Sequence, residues 1–387
     1  MARGHRPVET PAKAPVRAEA SVPSQIPVLS DGGVTLRPHE PRDLDRMVEL
    51  AADPAMMRWT PIPAPYSRAA AERFALAYAP RSWADGTRML WAVEFDGRFV
   101  GTVDIEGEGP LTRLSYDLHP DARGWGVMKR AVLLAVNYAF GEAGKEVVRW
   151  TTVAGNIDAL RVAHSCGFRL DAAVQNGVEV RGHIRDAWVG SLHANDPQHP
   201  KTDWRTDVFE TDRFRLRPLA ETDDPRIRET LDDPASRKYL FARPDPLELE
   251  HAAAERLRKW WTAAQGTTCT WAVADRETDA YLGDITLLHI DEVTGAEAGF
   301  YTHPEARGKG VLAEAFPAAV RYAFDKLGFR RLTLFAADSN EGSKKLARNA
   351  GFREFGTQKL AARSDGVFED LIGFELFRDD YEANRNK

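Results

Sequence analysis

The chain has 387 residues, 43% of them hydrophobic and 28% charged, with a formal net charge of −6. That length exceeds what one ordinary core holds, and the acidic balance argues against a nucleic-acid-binding face. The two cysteines, Cys166 and Cys269, cannot build a disulfide framework or a thiolate metal cage, so no bound metal is expected and a reducing cytoplasm is.

In chain order, residues 1–30 scatter Arg and Lys among Pro, Ala and Ser without an apolar block. A disordered, non-cleaved tail is expected there rather than a signal peptide. No later run reaches the roughly 18 apolar residues of a membrane span, so no membrane partner is expected. Residues 31–193 read as a first domain. It opens with an extended segment at Leu36-Arg37-Pro38, then helices around Leu44 to Ala51 and Ala69 to Tyr78. Strands follow at Met89 to Phe95, Phe99 to Ile105 and Leu111 to Leu118. Val127, Ala131, Leu134, Ala135 and Tyr138 then recur at the spacing of one helical face. A strand at Val147 to Val153 and a short helix ending in Cys166-Gly167-Phe168 come next, with Gly167 suited to a left-handed cap. Two more strands close the domain.

Residues 194–206, polar with two prolines, read as a linker, and 207–387 as a second domain. The second domain repeats the order, with strands at Thr270 to Ala274, Tyr281 to Ile290, Glu297 to Thr302 and Arg331 to Ala336, and Gly351 as its helix cap. Pro317 falls inside its long helix and is expected to kink it or cost a hydrogen bond. The repetition is also literal. His119-Pro-Asp-Ala-Arg-Gly-Trp-Gly-Val and His303-Pro-Glu-Ala-Arg-Gly-Lys-Gly-Val stand 184 residues apart, and Asn156 and Asn340 keep that offset. Leu36-Arg37-Pro38 and Leu216-Arg217-Pro218 stand 180 apart, a slip that loops absorb cheaply. A repeat this long is a duplicated domain rather than a solenoid unit. The predicted fold class is therefore α/β, two tandem domains of mixed sheet flanked by helices.

Arg123-Gly124-Trp125-Gly126-Val127 and Arg307-Gly308-Lys309-Gly310-Val311 each join a strand to a helix. Glycine lets the backbone turn sharply and approach a ligand, and the first helical amides favour an anion. The implied chemistry is a diphosphate cradle, with Arg307 and Lys309 adding charge. The spacing fits neither a Walker loop nor the dinucleotide fingerprint with its third glycine. A plain strand-to-helix turn also uses glycine, but the recurrence in the same context argues for the cradle.

Arg-Gly-x-Gly-Val after a strand, followed by an Asn-initiated helix ending in Gly-Phe, resembles the GNAT superfamily. The likeness is greatest to its branch of ribosomal-protein N-terminal acetyltransferases, over Val34 to about Leu192 and Phe214 to about Phe377. The resemblance implies a splayed sheet in each half and acetyl-coenzyme A as co-substrate. Its diphosphate would lie on the glycine-loop amides, its pantetheine in a gap lined by Tyr301 and Thr302, or by Asp117 and Leu118 in the first half. It further implies Glu297 on the splayed strand as a base and Ser343 as proton donor to the thiolate. Asn340 would cap the helix and contact pantetheine, with Asn156 as its counterpart. The first half carries Arg113 and Ala159 at the Glu297 and Ser343 slots, and Lys129-Arg130 in place of Ala313-Glu314. It is expected to keep the fold without the proton-transfer groups, unless Asp104, Glu106, Tyr116 or Asp117 substitute for them.

Plainer readings stand beside these. Glu297 reads equally as a solvated strand carboxylate, and Asn340 as an N-cap with Ser343 in its first turn. Cys166 reads as a small buried residue, Trp91 and Trp271 as core, and His119 and His303 as turn residues. An α-amine, with a pKa of about 8 against about 10.4 for lysine, is neutral in roughly a tenth of molecules at pH 7. A single carboxylate base suits it, so the expected acceptor is a peptide or protein N-terminus. The alternatives are a small-molecule amine, such as an antibiotic or amino sugar, and a non-catalytic module that binds coenzyme A thioesters.

Overall fold

A computed structural model describes residues 25–205, 207–239, 247–291, 293–364 and 367–385. The tail expected over 1–30 falls outside the described residues as far as residue 24. The chain divides into two units between His199 and Pro200.

The first unit opens with β1 (Leu29–Ser30), β2 (Val34–Arg37), α1 (Leu44–Ala51), α2 (Pro54–Trp59) and α3 (Arg68–Glu72). A π-helical turn over Arg73–Tyr78 leads into α4 (Ala79–Ala84). Then come β3 (Arg88–Phe95), β4 (Arg98–Glu106), β5 (Leu111–Leu118), α5 (Val127–Gly141), β6 (Val147–Val153), α6 (Ile157–Ser165), β7 (Arg169–Val180) and β8 (His183–His193). The helical segment thus runs six residues beyond the expected end at Tyr78. Pro80 cannot donate to the preceding turn, and the wider π turn just before it changes the hydrogen-bond register there.

The second unit has β9 (Phe209–Glu210), β10 (Phe214–Arg217), α7 (Asp224–Asp232), α8 (Pro234–Arg237), α9 (Leu249–Ala264), β11 (Cys269–Asp275), β12 (Tyr281–Asp291) and β13 (Gly295–Thr302). It continues with α10 (Val311–Asp325), β14 (Arg331–Ala337), α11 (Glu341–Asn349), β15 (Arg353–Ser364), β16 (Val367–Phe377) and α12 (Arg378–Arg385). Each unit holds one eight-stranded sheet, ordered β1-β2-β3-β4-β5-β6-β8-β7 and β15-β16-β14-β13-β12-β11-β10-β9. Every pairing is antiparallel except β5 with β6 and β13 with β14, so both sheets are mixed, as expected.

Packing follows from side-chain size. Val127, Ala131 and Ala135 of α5 are buried, and so are Val132, Val136 and Ala139 beside them. The helix therefore buries a wider face than the sequence stripe suggested, its alanines allowing close approach. Leu134 and Tyr138 are only half-buried. Trp91 and Trp271 lie in the cores with 0% and 1% exposure, and Cys166 and Cys269 are buried thiols pushed up to about 12 by burial. Helix α10 continues through Pro317, which lacks the N–H that the carbonyl one turn back would have received. Gly167 and Gly351 take φ values of +85° and +88°, the left-handed caps expected of them. The Leu-Arg-Pro motif has a structural reason in both units. Arg37 forks onto Asp43 at 2.8 and 2.8 Å, and Arg217 onto Asp223 at 2.8 and 2.9 Å, tying the strand to the turn before the first helix.

One position breaks this parallel. His39 stands where the second unit has Leu219, and both are buried. Both His39 ring nitrogens lack a hydrogen-bond partner among the described residues, and the ring lies against Phe74 and Phe99. Burial holds its pKa down at about 4, against an ordinary 6.5. The unfolded chain therefore takes up a proton at this histidine before the folded chain does. Stability present above about pH 6.5 is lost as pH falls towards 4, in total about 3 kcal/mol for this group. His39→Leu should raise the melting temperature at pH 5 more than at pH 8, measured by calorimetric scans against the parent chain. Equal shifts at both pH values would contradict a neutral, unpartnered ring.

Candidate active site

The cradle is built by two residues that only glycine tolerates well. After β13, His303 opens a 3-10 turn over Pro304–Ala306, and Arg307 returns to extended backbone. Gly308 and Gly310 then take φ of +72° and +75°, and Gly310 starts α10 from the left-handed region. Gly124 and Gly126 do the same before α5, at +82° and +72°. The first turn of each long helix therefore has no side-chain cap on its amides, at its positive dipole end. Val127 and Val311 are buried, so only their main chains face this turn.

Arg213 holds the second loop from behind. Its guanidinium donates to the carbonyls of Lys309 and Gly310 at 3.2 and 3.4 Å, while Glu314 accepts from Arg213 Nε at 2.6 Å. The first unit reverses the charges, with Arg130 in the helix bonded to Asp31 in the opening hairpin. The Lys129-Arg130 substitution is thus a swapped structural ion pair. The loop arginines are also engaged. Arg307 meets Asp233 at 2.6 Å and Ser236 at 2.8 Å, and Arg123 meets Asp53 at 2.6 Å. Asp233 and Asp53 are the N-caps of α8 and α2, so each arginine ties its loop to a short helix. The charge expected of Arg307 is largely offset by Asp233. Lys309 and Trp125 are exposed, Trp125 at 72%.

The gap comes from strand divergence. β13 pairs with β14 only at Ala296 with Leu332 and Glu297 with Thr333, and the rest of β13 leaves its neighbour. β5 keeps four pairs to β6 before leaving at Ser115. In the second unit the divergence opens a cleft of about 970 Å³. Its lining includes Glu297, Tyr301, Thr302, Gly310, Asn340 and Ser343, so the structure brings these predicted residues to one space. Alternation along β13 puts Ala298 and Phe300 towards α10, with Phe300 packed on Phe316, and Glu297, Gly299 and Tyr301 on the other face. Glu297 is about 30% exposed, with His289 Nδ1 at 3.6 Å. Asn340 accepts a hydrogen bond from the Ser343 backbone at 3.1 Å, which makes it the N-cap of α11, and Ser343 lies in the first turn.

The first unit places different groups at these positions. Arg113 is bonded to Glu106, and Arg88 to Asp104 at 2.6 Å. Asn156 caps α6 through the Ala159 amide at 3.2 Å, and the Tyr116 hydroxyl donates to the Ala159 carbonyl at 2.8 Å. Leu118 ends the diverging strand, half-buried. Asp117 accepts from the Thr102 amide at 2.9 Å, and burial pushes its carboxyl up to about 7; burial likewise moves Asp104 to about 6 despite Arg88.

Several groups escaped the sequence reading. His303 is a turn residue as expected, but it is also buried, with Glu229 at 2.9 Å and Arg226 at 2.9 Å on its two ring nitrogens. Glu255, Arg258, Lys259 and Thr262 of α9 line the cleft from the helix side. Their spacing of three, four and seven residues marks one helical face, yet a charged face ordinarily looks outward.

The two mixed-sheet units agree with the family that comparison with known proteins finds. The acetyltransferase (GNAT) domain matches residues 34–169 and again 213–353. The chain belongs to the GNAT acetyltransferases and carries their domain twice. Over 104 residues it is 31% identical to the Bacillus subtilis (strain 168) protein named "Putative ribosomal N-acetyltransferase YdaF", covering 27% of this chain and 57% of that one. The chain thus spans little more than half the length of this curated relative. Among solved structures it is similar to a ribosomal-protein-S5-alanine acetyltransferase from Vibrio fischeri, at 19% identity and a TM-score of 0.41, covering 45% of this chain and 98% of that one. It is similar also to a spermidine N-acetyltransferase from Vibrio cholerae, at 20% identity and a TM-score of 0.40, covering 44% and 99%.

The loop geometry is directly testable. Nothing crowds a Cβ at Gly310 closer than 3.5 Å, so the obstacle to alanine is backbone conformation rather than space. Left-handed backbone costs a non-glycine residue about 1–2 kcal/mol. Gly310→Ala should weaken coenzyme A binding about tenfold in calorimetric titration while the chain stays folded. Unchanged affinity would show that this turn is not the cradle.

Proposed function

We propose that the second unit transfers an acetyl group from acetyl-coenzyme A to a primary amine, and that the acceptor is a peptide or protein N-terminal α-amine. One observation carries the reading: a carboxylate, a helix-start serine and an amide-lined glycine turn share the cleft where β13 leaves β14. The residues present fit the coenzyme. The main-chain amides of Gly308 and of Gly310 to Leu312 would hold its diphosphate, with Tyr301, Thr302 and Asn340 beside its pantetheine arm. Bound there, it would supply an activated acetyl thioester.

Glu297 takes one proton from the attacking amine, and its partial exposure lets that proton leave to solvent. Ser343 holds a hydroxyl proton for the departing thiolate. As the C–N bond forms and the C–S bond breaks, one proton goes from the amine to Glu297 and one from Ser343 to the thiolate, and the proton that Glu297 gives up to solvent is matched by one that solvent returns to Ser343. The relative with a ribosomal N-acetyltransferase name supports a protein N-terminus as acceptor, since an α-amine needs only a modest base.

The first unit keeps the glycine turn and the Asn156 cap but holds Arg113 and Ala159 at the two proton-transfer positions. In this reading it is catalytically degenerate, and 31–193 and 207–387 are the two domains joined by 194–206. A second reading gives it chemistry of its own through Asp117, because a carboxyl near pH 7 is poised to act as a base.

Ser343→Ala and Glu297→Gln should each lower the steady-state rate of thiol release at least tenfold, with coenzyme A affinity by calorimetry little changed. Wild-type rates in both variants would remove these assignments. Combining Asp117→Asn with both substitutions separates the two readings: a further loss of residual rate favours chemistry in the first unit, and no further loss favours degeneracy.

A further inference from the structure

On the face of the second sheet away from α10, side chains stand in rows, and one row is nearly bare. Cross-strand pairing sets Ala272, Asp284 and Tyr301 side by side, then Thr270, Thr286 and Gly299, and then Leu288 and Glu297. Helix α9 is fastened over this face on either side of the middle row. Lys259 reaches Asp284 at 2.8 Å, and Thr262 meets Thr268, two residues before Thr270, at 2.8 Å. The middle row carries nothing longer than threonine, and Thr270 and Thr286 hold each other's hydroxyls at 3.0 Å. Gly299 ends that row at the free edge of β13 and lines the cleft with Thr286, Glu297 and Tyr301.

Neither the backbone nor the packing explains a glycine at 299. Its φ lies outside the left-handed region, and a Cβ there would meet only Leu288 Cδ1 at 3.6 Å and the Thr286 carbonyl at 4.0 Å, ordinary contacts. Gly283 of β12 differs, since a Cβ on it would collide with the Tyr301 carbonyl. Glycine weakens a strand interior, and where the fold does not require it, it marks close approach of a ligand. The first unit fills the same register. Ser115 stands at the Gly299 position opposite Asp104, with Arg88 bonded to Asp104 and Arg113 to Glu106 around it. Side chains on one strand face recur every two residues, about 7 Å apart, so an amine that gives its proton to Glu297 lies one such step from Gly299. On the other side of Glu297, Gly295 is buried against the Arg331 main chain, so Gly299 marks the open direction.

We infer that Gly299 is a specificity-determining residue: the space above it, between the Thr286 row and α9, receives the side chain of the acceptor's first residue. The inference deepens the proposed transfer to an N-terminal α-amine and rests on that reading for the reaction. Because Gly299 lies apart from the glycine turn, a methyl group added there narrows the acceptor space and leaves the coenzyme cradle as it is.

The test measures thiol release from acetyl-coenzyme A with tetrapeptide amides that differ only in a first residue of glycine, alanine, valine or leucine. One methylene in an apolar pocket shifts discrimination by roughly 10–200-fold. Gly299→Ala should therefore lower kcat/KM for the bulkiest peptide the parent uses about tenfold more than for the glycine peptide. Coenzyme A affinity by calorimetry and the melting temperature should stay close to the parent's. Gly299→Ser, which places the first unit's residue at this register, should shift the ratio in the same direction and serves if the alanine variant folds poorly. An equal loss for all peptides, or a loss of coenzyme A affinity, assigns the space to the acetyl thioester and overturns the inference. A ratio unmoved in both variants, or a parent confined to the glycine peptide, overturns it as well. Absence of thiol release by the parent with every peptide sinks the transfer to an α-amine instead.

Discussion

Two residue pairs are all that join β13 to β14, and the chemistry proposed for the second unit depends on that short contact. A parallel pair that continued would close the sheet and bury the strand edges. Because it stops after Glu297, β13 from Ala298 onward has no strand paired on that side, an arrangement that would ordinarily be costly for buried backbone groups. The cleft makes those groups available to a ligand. Glu297 stands at the branch point, Tyr301 and Thr302 along the free edge, and the glycine turn beyond its end.

The turn and the divergence must be held rigid to be useful, and the two units achieve this with different charges. Arg213, held by Glu314, braces one loop, while in the first unit Arg130 and Asp31 tie the helix to the opening hairpin, with the acid and base exchanged between hairpin and helix. In both, the loop arginine is bonded to the aspartate that caps the preceding short helix. Such ion pairs contribute modestly to stability at a partly exposed surface, but they fix orientation. The scaffold is shared where geometry demands it and free to vary where only complementarity of charge is required.

In the side chains on and around these diverging strands the units differ in kind. The first carries the Arg88–Asp104 and Arg113–Glu106 pairs and a carboxyl at Asp117 raised by burial. The second has threonines, a buried Lys259–Asp284 pair and Glu297. A duplicated fold with two unlike faces is consistent with one unit doing chemistry while the other is released from its constraints.

Much was legible in the order of residues because local rules govern it. Glycine at positive φ, asparagine at a helix start, alternation along strands and the literal repeat at 184 residues each depend on near neighbours or on pattern. These alone determined two mixed-sheet domains, the paired glycine turns and the positions of the caps. Only tertiary structure decided what each charged side chain meets. That Arg307 is matched by Asp233, that Lys259 is buried on Asp284, that His303 is enclosed and that the His39 ring lacks a hydrogen-bond partner among the described residues all depend on residues distant in the chain. Electrostatic partnership is a matter of ångströms in space, and sequence separation carries no measure of it.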